Sequence, residues 1–313
     1  MKAIKRSIAA AVLAAALALS ASACGTSSDE GSAQPTVASS TTITSPTLAR
    51  PTQLVDSLFD VAGGRLHVHC AGEGPTTVLL IAGWDDGGDK SWSAVQPVVA
   101  QHSRVCTYDR FGTGTSDAPT TTQTFTTEAD DLDALLTTAG EPGPYVVVGH
   151  SFGGAEAVAF ASEHRDDVVG LMLVDASPTT WPAALCAVPD DGTDTARGLQ
   201  ALCTTFHDPT RDVEHLDAFT AFDEVAAITS LGHLPMVVMT AATRTIPGLA
   251  DSELARLNNV WDAGVARWAA LSTASKVVSV PDTGHYIQLE HPDVVLGALT
   301  TPIASAAPAG LGT

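Results

Sequence analysis

The sequence predicts an α/β fold: a mostly parallel sheet covered by helices on both faces. Three observations carry that expectation. Continuous apolar runs at Thr77–Ala82, Tyr145–Val148, Val168–Val174 and Pro235–Thr240 have the composition of strands buried on both sides. Stretches of helical spacing fall between most of them, and strands alternating with helices imply parallel pairing through crossovers. The third observation is the stretch Pro144–Gly154, P-Y-V-V-V-G-H-S-F-G-G, where G-x-S-x-G lies between a buried strand and a small-residue helix at Ala155–Ser162. Strand, sharp turn with a serine at its tip, then helix is the context of a nucleophile elbow. A side chain at Gly149 or Gly153 would crowd such a turn.

Taken in order, Leu54–Val61 and Arg65–Cys70 alternate polar and apolar residues around Gly63-Gly64 and read as an opening antiparallel hairpin. After the Thr77–Ala82 strand, Ser91–Gln101 reads as a helix and Val105–Tyr108 as a short strand. Phe125–Thr138 has apolar residues near helical spacing, with Glu128, Asp130, Asp131 and Asp133 in the polar positions. The elbow and the Val168–Val174 strand follow. Over about 176–233 the strand pattern lapses into Pro, Thr, Asp and short helical pieces. That interval is too long and too patterned for a bare loop and reads as an inserted cap. Pro235–Thr240 resumes the sheet, Ser252–Leu271 is a long helix, Lys276–Val280 the last strand, and His285–Leu299 a closing helical stretch.

The N-terminus reads as a targeting segment. Lys2, Lys5 and Arg6 precede an apolar run from Ile8 to Leu19 that is too short to span a bilayer comfortably. Ser20-Ala21-Ser22-Ala23-Cys24 resembles a bacterial lipoprotein signal, which implies a signal peptide at 1–23, cleavage before Cys24 and lipidation of that cysteine. Ala21 departs from the usual leucine, so ordinary secretory cleavage after Ala23 stays open. Residues 24–52, rich in Ser, Thr, Ala and Pro, read as a flexible tether to a domain at 53–313. The expected location is the outer face of the cytoplasmic membrane, held by the lipid anchor.

With 15 basic and 35 acidic residues, the formal charge of −20 offers no basic patch for nucleic acid. Four cysteines remain beyond Cys24, an even number that in an exported chain points to disulfides with three possible connectivities. Cys70 and Cys106 belong to early strands, while Cys186 and Cys203 fall in the insertion. The pairing Cys70–Cys106 and Cys186–Cys203 respects that division. His67 and His69 share one side of a strand, but two ligands without a third make weak grounds for a metal site.

The motifs together resemble the α/β-hydrolase family in its capped, esterase-like form. They are A-G-W at 82–84, Y-D-R-F-G-T-G-T-S-D at 108–117, G-H-S-F-G-G at 149–154, L-V-D-A-S at 173–177 and G-H-Y-I-Q-L-E-H-P at 284–292. The resemblance covers about 54–299 and implies Ser151 as nucleophile and His285 as base, in the chain order Ser…Asp…His. His150 and His291 are the weaker histidine candidates. Many relatives carry the acid after the strand Pro235–Thr240, but the loop here has no carboxylate before Asp251. Asp175 ends the strand next to the elbow, on the same sheet edge as Ser151, and is the preferred acid over Asp251, Asp262 and Asp282. The backbone N–H groups of Phe152 and Trp84 would form the oxyanion hole, with the Trp84 side chain lining the acyl pocket. Asp109-Arg110-Phe111-Gly112 reads as a structural turn buttressing the site. Trp181, Trp261 and Trp268 are candidates for substrate contact or for packing of the cap and late helix, with packing preferred.

The implied activity is hydrolysis of a small-molecule carboxylic ester through an acyl-enzyme, with no cofactor and no metal. The same triad serves amidases, thioesterases and lactonases, and a non-catalytic binding protein on this fold is the rival of another class. Epoxide hydrolase and haloalkane dehalogenase chemistry is disfavoured, because it uses a carboxylate where this chain has Ser151. Acyl length, leaving group and oligomeric state are left open by the sequence.

Overall fold

The computed structural model describes residues 53–242 and 244–306, with side chains through Leu299. The expected leader at 1–23, the expected lipidation at Cys24 and the expected tether to 52 lie outside the described residues. The sheet has eight strands: β1 (Val55–Val61), β2 (Gly64–Ala71), β3 (Thr77–Ile81), β4 (Arg104–Asp109), β5 (Tyr145–His150), β6 (Val168–Val174), β7 (Met236–Ala241) and β8 (Ser275–Val280). Their spatial order is β1-β2-β4-β3-β5-β6-β7-β8. The β1–β2 and β2–β4 pairs are antiparallel and every other pair is parallel.

The helices are α1 (Gly88–Ser91), α2 (Gln96–Val99), α3 (Phe125–Ala139), α4 (Phe152–Glu163), α5 (Trp181–Cys186), α6 (Asp194–His207), α7 (Ala218–Ala227), α8 (Asp251–Ala270), α9 (Ile287–Glu290) and α10 (Pro292–Ala306). Successive side chains of a central strand go to opposite faces. Val147 joins the core that includes Phe125 and Leu132 of α3, Phe160 of α4 and Trp268 of α8. Val146 and Val148 join the one that includes Trp92, Val99 of α2, and Val295 and Leu299 of α10. The central strands β3, β5 and β6 are therefore apolar along most of their length, which is why they read as continuous runs.

Three local readings change. The expected helix at 91–101 is two short helices, because Pro97 has no N–H to extend the ladder and Trp92 sits at φ −113° as the end of the first. The closing helical stretch is likewise broken ahead of Pro292. Glu128, placed on the polar face of α3 by periodicity, is buried and lies 3.7 Å from Arg110 Nε. Tertiary partnering, invisible to helical spacing, overrides its phase. Helix α3 is otherwise bounded as its sequence dictates: Thr124 accepts from the Thr127 N–H, and Gly140 closes the helix at φ 71°.

Between β6 and β7 the chain forms α5, α6, a 3₁₀ turn at Pro209–Arg211 and α7. A disulfide joins Cys186, the last residue of α5, to Cys203 within α6, and a second joins Cys70 to Cys106, which are paired residues of β2 and β4. With separations of 17 and 36 residues, loop-closure entropy gives them about 3 and about 4 kcal/mol of stabilisation respectively. No helix among the described residues is long and apolar enough to cross a membrane.

Candidate active site

Ser151 is the single residue between β5 and α4, held at φ 56° and ψ −122°. A serine with positive φ is strained and persists only where its surroundings over-determine it. The flanking glycines show what does so. A Cβ at Gly149 would lie 2.1 Å from Gly153 O, and one at Gly153 would lie 2.1 Å from Ala82 O. The turn therefore closes only around hydrogen atoms, and the Ser151 N–H is anchored on Val174 O at 3.2 Å.

Asp175 follows β6, and its own N–H donates to Met239 O of β7 at 2.8 Å. Because β5 and β6 are parallel neighbours with His150 opposite Val174, Ser151 and Asp175 emerge side by side on one sheet edge. His285 arrives from the loop after β8, two strands beyond. Glu290 shapes that loop by accepting from the Gly284 N–H at 2.7 Å and the Thr283 hydroxyl at 3.1 Å. The three side chains meet: His285 Nδ1 lies 2.7 Å from Asp175 Oδ2, and His285 Nε2 lies 2.9 Å from Ser151 Oγ.

The electrostatics fix the proton positions. Burial works to raise the Asp175 carboxyl, but the hydrogen bond and charge of His285, the Ala241 N–H and nearby Arg244 outweigh it. The group is held below the usual carboxylate range. An ionised Asp175 only accepts, so His285 Nδ1 carries the proton and Nε2 accepts from Ser151. The second oxygen, Asp175 Oδ1, accepts from the Ala241 N–H at 3.1 Å, the Thr240 hydroxyl at 3.2 Å and Trp261 Nε1 at 3.2 Å.

Ser177 is buried with its Oγ 3.3 Å from Ser151 Oγ. The Ser151 proton is committed to His285, so Ser177 is the donor. His150 donates from Nε2 to His285 O at 2.9 Å. Burial, and then the neighbouring His285, push its pKa down to about 3, so this ring is neutral. Gly83-Trp84 follow β3, and the Trp84 ring stacks on Phe152 with centroids 5.7 Å apart. Phe206 of α6 packs on Trp84 at 5.6 Å. Phe152 opens α4, so its N–H has no intrahelical acceptor.

The other acid candidates lie elsewhere. Asp251 begins α8 and is exposed, Asp262 pairs with Arg244 at 3.0 Å, and Asp282 is exposed in the turn after β8. His291 contacts Asp282 O at 3.2 Å. His67 lies 2.7 Å from Asp56 and 3.2 Å from Asp109, while His69 lies 2.8 Å from Asp89, so both histidines are engaged by carboxylates. Ser177, and the indole of Trp261 as a donor to Asp175, were not assigned from sequence. The A-S after Asp175 was the only available signal for the first, and α8 gave none for the second.

Residues 76–200 match the family described as alpha/beta hydrolase fold. An uncharacterised Bacillus subtilis protein, YqjL, is 22% identical over 242 residues, covering 77% of this chain and 89% of that one. The soluble epoxide hydrolase of a Corynebacterium species is 35% identical over 118 residues, covering 38% of this chain; the match spans only 40% of that enzyme. Among solved structures, Est816, titled an N-acyl homoserine lactone degrading enzyme, superposes with a TM-score of 0.56 at 19% identity, covering 78% of this chain and 99% of its own. The family match, the eight-stranded order and these superpositions agree, and the chain has the α/β-hydrolase fold.

Proposed function

We propose that this protein is a serine hydrolase that cleaves a small-molecule carboxylic ester through an acyl-enzyme. The observation that carries the reading is the continuous chain Asp175–His285–Ser151, at 2.7 and 2.9 Å, ending on a serine in a strained elbow. In the proposed reaction Ser151 Oγ attacks the ester carbonyl while its proton passes to His285 Nε2. Asp175 stabilises the imidazolium through Nδ1. The N–H groups of Phe152 and Trp84 receive the developing oxyanion. His285 returns the proton to the leaving alcohol, then deprotonates a water that attacks the acyl-enzyme, and gives that proton to Ser151 Oγ as the acid is released. The epoxide hydrolase match argues less for epoxide opening, because Ser151 stands where that chemistry needs a carboxylate. The lactone named for Est816 is a cyclic ester and accords with the acyl-transfer reading.

A fluorophosphonate probe tests the proposal. Wild type is expected to label covalently and Ser151→Ala not to; an unlabelled wild type, or equal labelling of both, would sink the enzyme reading. Ser177 should assist by donating to Ser151 Oγ. Ser177→Ala is expected to lower kcat by about 2–10-fold with KM unchanged, the worth of one neutral hydrogen bond, measured with a p-nitrophenyl ester. An unchanged kcat would assign that contact to packing alone.

The proposed location is the outer face of the cytoplasmic membrane, with a lipid on Cys24; simple secretion is the alternative. Two disulfides accord with an oxidising compartment. Radiolabelled palmitate should be incorporated by the native chain and lost in Cys24→Ser. Incorporation that survives the substitution would overturn the anchor.

A further inference from the structure

The inserted segment between β6 and β7 touches the loop that follows β3. Its residues Asp212 and Glu214 reach back to the Gly83–Asp85 loop. Glu214 is buried and accepts at Oε1 from the Asp85 N–H, and at Oε2 from Arg110 Nε at 2.7 Å. Arg110, also buried, donates from Nη1 to Ala82 O at 2.8 Å and from Nη2 to Gly83 O at 2.7 Å. Asp212 accepts from Trp84 Nε1 at 2.9 Å.

The consequence follows from peptide planarity. Gly83 C=O and Trp84 N–H belong to one rigid trans unit and point in opposite directions. Holding Gly83 O with Arg110 therefore aims the Trp84 N–H. The next peptide is held by its own N–H on Glu214. Asp85 needs such a hold, because it sits at φ 59°, a left-handed conformation that a non-glycine residue keeps only under constraint. Arg110 and Glu214 thus fix both peptide planes that flank Trp84, and Asp212 fixes its indole.

Two features make this more than one of several ion pairs. Arg110 also meets Glu156 at 3.2 Å and Glu128 at 3.7 Å, so Glu214 is one of three carboxyl groups around it. Neither of those two has a hydrogen bond to the 83–85 loop among the described residues; Glu214 does. The segment that carries Glu214 is itself seated on the core: Gln123 N donates to His215 O at 3.0 Å and Asp217 N to Gln123 O at 2.9 Å. Val213 O packs so closely on the Arg110–Gly112 turn that a Cβ at Gly112 would lie 1.9 Å from it.

We propose that Glu214, supported by Asp212, is a cap-borne positioning residue for the oxyanion loop, so that seating of the cap and aiming of the Trp84 N–H are one structural state. This rests on the ester-hydrolase reading above. It assigns the cap a part in transition-state stabilisation as well as in substrate entry.

The test compares Glu214→Ala and Glu214→Gln with wild type, using a p-nitrophenyl ester, fluorophosphonate labelling rates and amide hydrogen exchange of residues 83–86. Loss of one oxyanion donor costs about 10²–10³-fold in kcat, so a misaimed donor in Glu214→Ala should cost on the order of 10–100-fold. KM should stay within about 2-fold, since the donor acts in the transition state. Labelling should slow in parallel, and the loop amides should exchange faster. Glutamine keeps an acceptor for the Asp85 N–H, and Glu214→Gln should restore most of kcat. A folded Glu214→Ala with wild-type kcat, or with raised KM and unchanged kcat, overturns the proposal, as does unchanged loop exchange. Should Glu214→Ala fail to fold, Asp212→Ala decides: faster loop exchange with a lowered kcat supports the coupling, and wild-type values in both refute it. A wild type that neither labels nor cleaves esters removes the hydrolase reading, while the exchange experiment still decides whether Glu214 holds the loop.

Discussion

Ser151→Ala is expected to lower kcat for ester hydrolysis by roughly 10⁴–10⁶-fold, the scale of triad knockouts. Alanine leaves the elbow without a nucleophile but preserves what shapes it: the flanking glycines, the Ser151 N–H bond to Val174 O and the start of α4 at Phe152. The loss should therefore appear in kcat without a matching loss of fold. The measurement is a p-nitrophenyl ester assay on wild type and variant purified separately, with thermal unfolding as the control. A residual rate within about 100-fold of wild type would mean that another group performs the attack.

Asp175→Asn should cost about 10⁴-fold in kcat, by analogy with the same change in the trypsin triad, and the structure shows why an isostere is so costly here. Three donors converge on Asp175 Oδ1: the Ala241 N–H, the Thr240 hydroxyl and Trp261 Nε1. An asparagine must place its oxygen there, which turns its NH₂ toward His285 Nδ1. Nδ1 must then accept, so the ring proton moves to Nε2, the nitrogen that has to take the proton of Ser151. The imidazole is left in the wrong tautomer with its position unchanged. The expected signature is a collapse of kcat with KM within a few-fold of wild type and little change in unfolding midpoint. Near-wild-type kcat in Asp175→Asn would remove Asp175 from the mechanism, and the exposed alternatives Asp251, Asp262 and Asp282 would need the same test.

The fold was legible because its central strands are buried on both faces. Such strands leave unbroken apolar runs, and the elbow glycines mark where backbone approaches backbone. Ser151 and His285 were legible through their local motifs, and Asp175 through the absence of a carboxylate in the loop after β7. What stayed hidden is carried by contacts with no local signature. Trp261 meets Asp175 across 86 positions and Glu214 meets Arg110 across 104. Glu128 was misplaced for the same reason: helical phase assigned it to solvent, while the Arg110 cluster takes it inside. There burial keeps its carboxyl well above the ordinary carboxylate range, and it raises Glu156 beside it to about 7. Helix periodicity reports which face a residue is on, not which charge waits opposite it.

The pairing of His150 with His285 has a consequence for proton traffic. The two rings lie 4.7 Å apart by centroid, yet they are not equivalent. His150 spends its one N–H on the His285 carbonyl, and its Nδ1 is buried with no hydrogen-bond partner among the described residues. With its pKa near 3, this ring stays uncharged across the whole range in which an ordinary imidazole titrates. In the proposed mechanism the proton lifted from Ser151 therefore has a single destination, and no second imidazolium forms beside the first to repel it. The ring that holds the His285 backbone in place is thus chemically silent, so on that mechanism alignment of His285 is kept apart from its proton transfer.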